Sequence, residues 1–382
     1  MSKKICYVVT IPLTIKAFFV PQIRYLSNNG FDVTVVCSRF GSDDAEVVEN
    51  QLNGFAKIHY IDMPRGLSLF GSIKAIHKLK RFFKKEKFDL IQYSTPNASL
   101  YASTAALFTG CKIRNYHLMG FRFLGEKGIY GFILKLMEKI TCLFSTNIEC
   151  VSRSNLELGL NLKIFNEKKA TVVWNGSSGG VDCKRFDIKK REAWRAGLRK
   201  DFGYLESDFI YGYVGRITRD KGINELIEAF LSLNNGAKLF IIGNYENDGS
   251  VDSVLWDKAL HSENIRIHGP TDEIEKYYAL IDVLVFPSHR EGFGNVIIEA
   301  AAVGTPAVVA DIPGPRDCVV AGKTGWFFSL SEKSGLANSM KKVKNIDCLE
   351  FGKNAEDFVK NNFDSEVLCK KICDRKHKLL SR

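Results

Sequence analysis

Two hydrophobic periods alternate along this chain. Short runs of β-branched and apolar residues, bounded by Gly, Pro, Asn or Asp, are each followed by a longer segment whose apolar residues recur every three or four positions. In the first half the strand-like runs are "KICYVVT", "FDVTVVC", "KIHYIDM", "FDLIQYS", "KIRNYHL", "NIECVS" and "ATVVWN"; in the second they are "FIYGYVGRI", "AKLFIIG", "IRIHG", "DVLVFP", "PAVVAD" and "GWFFSL". Strands that are apolar on both faces are covered on both faces, so the pattern predicts parallel sheets sandwiched by helices, an α/β doubly wound architecture. Between them, "FFVPQIRYLSNNG" predicts a helix closed at a left-handed Gly30, and "SIKAIHKLKRFFKKEK" predicts one with Ile73, Ile76, Leu79 and Phe83 on a buried stripe. A further helix is predicted from Gly294 or Asn295, burying Val296, Ile297, Ala300, Ala301 and Val303 and ending at Gly304 and Pro306. The segment "TIPLTIKAFF" after the first strand reads as a loop.

At 382 residues the chain exceeds the size at which one core stops growing, so two domains are expected. A charged bridge, "DCKRFDIKKREAWRAGLRKDFG", follows the loop "NGSSGGVD" and marks the change. The expected division is residues 1–183, a Rossmann-like domain; 184–360, a second; and 361–382, a helix crossing back to the first. Open sheets of this kind bind ligands outside the carboxyl ends of their strands, so two such domains facing a central cleft would share one.

Composition narrows the classes. Hydrophobic content of 45% and charged content of 25% describe a globular protein and exclude disorder. The first twenty residues lack a small-residue cleavage site, and "GIYGFILKLMEKITCLF" carries too many charges to span a bilayer. Ten cysteines without a CxxC pair suggest reduced thiols in a cytoplasmic setting, and Cys369 and Cys373 read as buried thiols with no metal partners. Net charge is +11. Residues 1–182 hold 24 Lys+Arg against 14 Asp+Glu, and the remainder 30 against 29, so the positive field belongs to the first half. That field suits nucleic acid, an anionic membrane face or a phosphorylated substrate. No stacking aromatics interleave the basic residues, so nucleic acid is not expected.

Candidate chemistry lies in the second half. In "YVGRITRDKGINELIEAF" a strand ends at Gly215, with Arg216 and Lys221 in the following loop and a helix behind them; two cations beside exposed backbone N–H groups suit a diphosphate. In "SHREGFGNVIIEAAAVGTP" the residues Gly292, Phe293, Gly294 and Asn295 open a helix and offer N–H groups to phosphate, while Glu291 and Glu299 can accept from paired hydroxyls. Their spacing is too long for two carboxylates sharing one glycosidic bond. Hydroxyl site, diphosphate site and hydroxyl site together describe a nucleotide sugar.

These residues resemble a family. Gly-Arg with Lys-Gly five residues beyond the Arg, then Glu-Gly-Phe-Gly and a Glu eight residues after the first, is similar to the retaining glycosyltransferases of family 4, which have the GT-B fold; "FDLIQYSTPNASLYASTAALFTG" and "DIPGPRDCVVAGKTGWFF" extend the resemblance over almost the whole chain. It implies that Arg216 and Lys221 hold the donor diphosphate and stabilise the leaving group, that Glu291 contacts the transferred sugar with Gly292 to Asn295 beside the phosphates, and that Glu299 binds the ribose. It further implies that His268 and Gly269 meet the base, and that His117 in "NYHLMGFRF", with Arg122 nearby, lines the first-domain side of the site. The loop after the first strand lacks the paired glycines of many relatives, so no phosphate role is assigned there, and the family's Asn-Gly-Val-Asp turn is stretched between Asn175 and Asp182.

The implied activity is transfer of a hexose or N-acetylhexosamine from a nucleotide donor, UDP in the first instance, to a polyprenyl-diphosphate-linked glycan in bacterial surface polysaccharide synthesis, with retention and by same-face attack. No Asp-x-Asp triplet occurs, so metal-independent transfer without a cofactor is expected. The basic helix at residues 72–87 and the charge of the first half predict a peripheral enzyme on the anionic inner face of the cytoplasmic membrane. Two other classes fit less well: a nucleotide-sugar epimerase, which needs acid/base groups around the sugar, and a non-catalytic basic binding protein. A dinucleotide oxidoreductase would need a GxGxxG after the first strand.

Overall fold

A computed structural model describes residues 2–39, 42–66, 68–247 and 249–381. The chain divides into two compact units, one of residues 1–180 with 365–382 and one of residues 181–364, against the expected junctions at 183 and 360.

The first unit is built on seven strands: β1 (Lys3–Val8), β2 (Phe31–Cys37), β3 (Ala56–Tyr60), β4 (Leu90–Tyr93), β5 (Ile113–Leu118), β6 (Asn147–Cys150) and β7 (Ala170–Val172). They lie in the order β3-β2-β1-β4-β5-β6-β7, parallel throughout. The second unit has six: β8 (Ile210–Val214), β9 (Lys238–Ile242), β10 (Ile265–His268), β11 (Val283–Phe286), β12 (Ala307–Ala310) and β13 (Gly325–Phe328), in the parallel order β10-β9-β8-β11-β12-β13. Each strand falls within one of the apolar runs except β1 and β3, which begin one residue before theirs. The central strands β4, β8, β11 and β12 are buried at every position, which is why their sequences do not alternate.

In each sheet the strand order reverses once, between β1 and β4 and between β8 and β11. At such a point the two adjoining loops diverge to opposite faces and leave a crevice at the carboxyl edge. The last helix, Ser365–Leu380, packs in the first unit against the helix Val20–Asn28, its Cys373 and Leu379 joining the core beneath β1 and β2. None of the ten cysteines is in a disulfide, and Cys369 and Cys373 are buried in this helix.

Three local expectations are corrected. The segment after β1 is not a loop: Pro12–Phe18 is helical, since proline fits the first helical position, where its missing N–H is not needed. On the helix Leu69–Glu86 the buried residues are Ala75, Leu79 and Phe83, while Ile73 is exposed; the helix is rolled so that its small residue meets the sheet. On the helix Asn295–Ala302 Val296 is half-buried and Ile298 is buried instead.

Candidate active site

In the second unit the candidate residues assemble at the carboxyl edge, on the loops that follow the two strands of the reversal point. Lys221 ends a short turn, Arg219–Lys221, after β8. The next residue, Gly222, has φ +77 and sits so near the loop after β11 that a Cβ would fall 2.1 Å from the Pro287 carbonyl oxygen. Only glycine satisfies both demands. The same two loops are tied by the His289 N–H donating to the Asp220 carbonyl at 3.0 Å, and the Ser288 hydroxyl donates to that oxygen at 3.3 Å. Held this way, the Lys221 ammonium lies 2.5 Å from Glu291 Oε1, with side chains 17% and 15% exposed.

Arg216, half exposed, follows β8 directly. Its Nη1 donates to both oxygens of Glu246 at 3.1 Å, and its Nη2 lies 3.7 Å from Asp220. Burial works against the guanidinium charge, but the Glu246 carboxylate outweighs it and raises the group above its ordinary value. Asp220 also neighbours Arg290 at 3.6 Å. Despite its desolvation Asp220 is held below its usual range, by the Thr218 hydroxyl and then by Lys221, Arg216 and Arg290. Cations and carboxylates are therefore interleaved at one spot and only partly covered.

Gly292, Phe293 and Gly294 lead from Glu291 into the helix Asn295–Ala302. Phe293 is buried and packs edge-on to Phe363 at 5.2 Å, which anchors the loop. Gly294 has φ +124, a conformation that lets the chain turn into the helix. Along that helix Glu299 accepts from the Tyr278 hydroxyl at 2.9 Å. Burial pushes its carboxyl up, with Tyr278 and Arg185 only partly opposing the shift. At β10 the His268 Nδ1–H donates to the Gly269 carbonyl at 2.8 Å, and Nε2 lies 3.0 Å from the Tyr277 hydroxyl. Phe202, Phe240 and Tyr277 wall this strand end. The residues from His268 to Glu291 thus span the edge from β10 to β11, three inter-strand spacings or about 14 Å, a length matched to an extended ligand.

His117 belongs to the first unit. It lies near the carboxyl end of β5, 6% exposed, with Nε2 3.1 Å from the Ser178 hydroxyl and the Phe19 ring edge-on at 5.4 Å. Burial lowers its pKa to about 4; nearby Glu149 works upward and Lys376 downward. Arg122, in the turn Arg122–Gly125, donates to the Tyr130 hydroxyl at 3.3 Å. Sequence reasoning missed the network behind His117. Lys376, from the final helix, is buried with its Nζ 2.9 Å from Glu149 Oε2 and 2.5 Å from Gln92 Oε1. Asn115 donates to the same two oxygens at 2.9 and 3.0 Å. Lys376 outweighs desolvation and holds Glu149 ionised below its ordinary range. Also missed were Glu246, Tyr278 and the Thr10–Thr95 hydroxyl pair, 2.7 Å apart at the β1/β4 reversal. Thr95 at least leaves a trace, since it precedes Pro96 and adopts φ +70.

Two family models match the chain: "Glycosyltransferase Family 4" over residues 22–178 and "Glycosyl transferases group 1" over residues 195–363. A capsular polysaccharide biosynthesis glycosyltransferase, CapM of Staphylococcus aureus, is 32% identical over 376 residues, 97% of this chain and 96% of the relative. The UDP-Gal:alpha-D-GlcNAc-diphosphoundecaprenol alpha-1,3-galactosyltransferase of Escherichia coli is 23% identical over the same shares. Among solved structures, Alr3699/HepE of Anabaena in complex with UDP superposes with a TM-score of 0.78 at 16% identity, covering 98% of this chain and 100% of that one. Two parallel Rossmann-like sheets of this design are the GT-B fold, and with a relative this similar over nearly its full length the chain belongs to the family 4 glycosyltransferases.

Proposed function

We propose that the protein transfers a hexose or N-acetylhexosamine, with retention, from a UDP-sugar to a polyprenyl-diphosphate-linked glycan during synthesis of a bacterial surface polysaccharide. The observation that carries this reading is the Lys221–Glu291 pair beside Arg216 on the two loops of the β8/β11 reversal. A diphosphate entering there takes Lys221 and Arg216 as its counterions. Glu291, released from Lys221, accepts from a hydroxyl of the sugar, and Glu299 from the ribose. His268 and Gly269 lie where the base would end. The CapM-like relative supports the capsular setting, and the printed activity of the E. coli relative supports a diphosphopolyprenol acceptor and a UDP donor.

Breaking the bond between the anomeric carbon and the phosphate oxygen gathers negative charge on the β-phosphate. Cations already aimed at that oxygen lower the barrier without reorganising. The acceptor oxygen attacks the same face as the leaving phosphate departs, and that phosphate takes the acceptor proton, so no protein nucleophile is needed. His117, in the first unit, is neutral at physiological pH. Arg216 and Lys221 carry the charge in a metal-independent transfer.

The test is incubation with a panel of nucleotide sugars and a lipid-linked acceptor, with and without a chelator, reading the product and its anomeric configuration. The expected result is a retained glycoside from one UDP-sugar, formed equally with chelator present. An epimer formed without any acceptor, or no donor consumed, would overturn the reading.

A further inference from the structure

The loops of the second unit carry an ion pair that the proposed chemistry does not use. Residues 287–294, between β11 and the helix Asn295–Ala302, have no regular structure, yet they must present Glu291 to the ligand. Such a segment keeps one geometry only when something outside it ties it down. Its backbone is tied at His289, whose N–H donates to the Asp220 carbonyl at 3.0 Å. Among its side chains, Glu291 meets Lys221 at 2.5 Å, Arg290 stands 3.6 Å from Asp220, and His289 Nε2 lies 2.8 Å from Glu225 Oε1. Glu225 stands in the first turn of the helix Ile223–Leu231, which begins directly after Gly222.

A diphosphate that takes Lys221 as its counterion removes the first of these side-chain ties. The Arg290 contact is long and shared, since Asp220 also neighbours Arg216 at 3.7 Å. His289 and Glu225 need not change partners. Both are shifted in the sense of a charged pair: the Glu225 carboxylate holds the imidazole above its ordinary value against partial burial, with Asp220 assisting and Arg219 opposing. Desolvation works against the Glu225 charge, but the His289 hydrogen bond outweighs it and lowers that group. With side chains 42% and 39% exposed, the pair exchanges protons with solvent and is screened by salt.

We propose that His289 is a positioning residue of the donor site: paired with Glu225, it staples the segment bearing Glu291 to the helix Ile223–Leu231 and holds it there while Lys221 and Glu291 part. This role rests on the proposed function, in which a donor diphosphate enters between those loops. A loop already held in place costs less to order when ligand binds, so the staple contributes to donor affinity. The imidazolium is fully present below the ordinary histidine range and is lost as pH rises through the raised value, while Glu225 stays ionised throughout. The staple therefore weakens on the alkaline side. Two simpler roles forecast otherwise. If His289 only offered positive charge to the diphosphate, removing the Glu225 charge would tighten binding; if Glu225 only complemented the start of its helix, its effect would not depend on His289.

UDP dissociation constants are measured by titration calorimetry from about pH 6 to about pH 9, either side of the histidine range, for the wild type, Glu225→Gln, His289→Asn, the double variant and His289→Lys. The ionisation of UDP is common to all five proteins and drops out of the comparison. At about pH 6 each of Glu225→Gln and His289→Asn should weaken UDP binding by about twofold to fivefold, and the double variant no further. Towards about pH 9 the gap to the wild type should close, while His289→Lys, charged across this range, should bind as the wild type does at low pH and lose the alkaline fall. In the free protein, hydrogen exchange of the His289 amide should quicken in Glu225→Gln. Tighter UDP binding by Glu225→Gln, additive losses in the double variant, or a pH profile that Glu225→Gln leaves unchanged would each overturn the proposal and leave the donor site standing. No UDP binding by the wild type at any pH would overturn the donor site itself, and the positioning role with it.

Discussion

Two Lys–Glu pairs, one in each unit, show how differently the same chemistry can be used. Lys376 and Glu149 have side chains 1% and 4% exposed; Gln92 accepts from Lys376, Asn115 donates to Glu149 Oε2, and Arg375 Nε stands 3.6 Å from the other Glu149 oxygen. Lys221 and Glu291 are at the edge of a sheet, each still reached by solvent, on loops that meet because Gly222 allows it. The first pair is sealed and joins the final helix to the sheet; the second can be opened by a stronger anion. A buried pair is costly to break, whereas a pair still reached by solvent contributes less and is more easily parted.

If that contrast is right, the largest effect on stability belongs to the sealed pair. Lys376→Met should cost about 3 to 5 kcal/mol, because Glu149 is left charged and buried. Adding Glu149→Gln should return much of it, measured by denaturant unfolding. If the single variant were near neutral, the network would not be the clamp described here. Burial of His117 beside that pair predicts an acid limb. The native His117 resists protonation down to about pH 4, whereas an unfolded histidine binds a proton near 6.5. Stability should therefore fall as pH drops from about 6.5 towards 4, and His117→Phe should flatten that part of the profile.

On the open side, Glu299→Gln should weaken UDP binding by about tenfold to a hundredfold through loss of a charged acceptor for the ribose. The same change should raise the melting temperature of the free protein. Burial raises the Glu299 carboxyl in the folded state, so its charge costs stability that is absent below the ordinary carboxylate range and grows as pH rises through the folded value. A variant that is less stable at neutral pH would contradict this. The smallest effect is expected from Glu246→Gln, which loosens Arg216 without removing it: about a twofold to fivefold loss of turnover, in keeping with a half-exposed ion pair.

The sheets were legible because strands covered on both faces must be apolar at nearly every position, as in "DVLVFP" and "AVVA". The order of residues around the reversal of the second sheet was legible for a different reason, since Arg216, Lys221 and Glu291 sit on short loops whose placement follows from the strands before them. What could not be read was rotation and distance. Nothing local reveals that Ala75 rather than Ile73 faces the sheet, because both continue a three-to-four spacing. Pro12 reads as a breaker when it is the first residue of a helix. Lys376 and Glu149 are 227 positions apart, and Tyr278 reaches Glu299 from a different helix. Such pairings exist only once the parallel strands have set the neighbours.

The central claim is that Arg216 and Lys221 act on charge that develops as the donor bond breaks. Its most direct test is to measure turnover and donor dissociation constant together for Arg216→Ala and Lys221→Ala. The account predicts turnover down by about a hundredfold to a thousandfold with donor affinity changed less than about tenfold. Near wild-type turnover in both variants, or a loss of turnover matched by an equal loss of donor affinity, would contradict it.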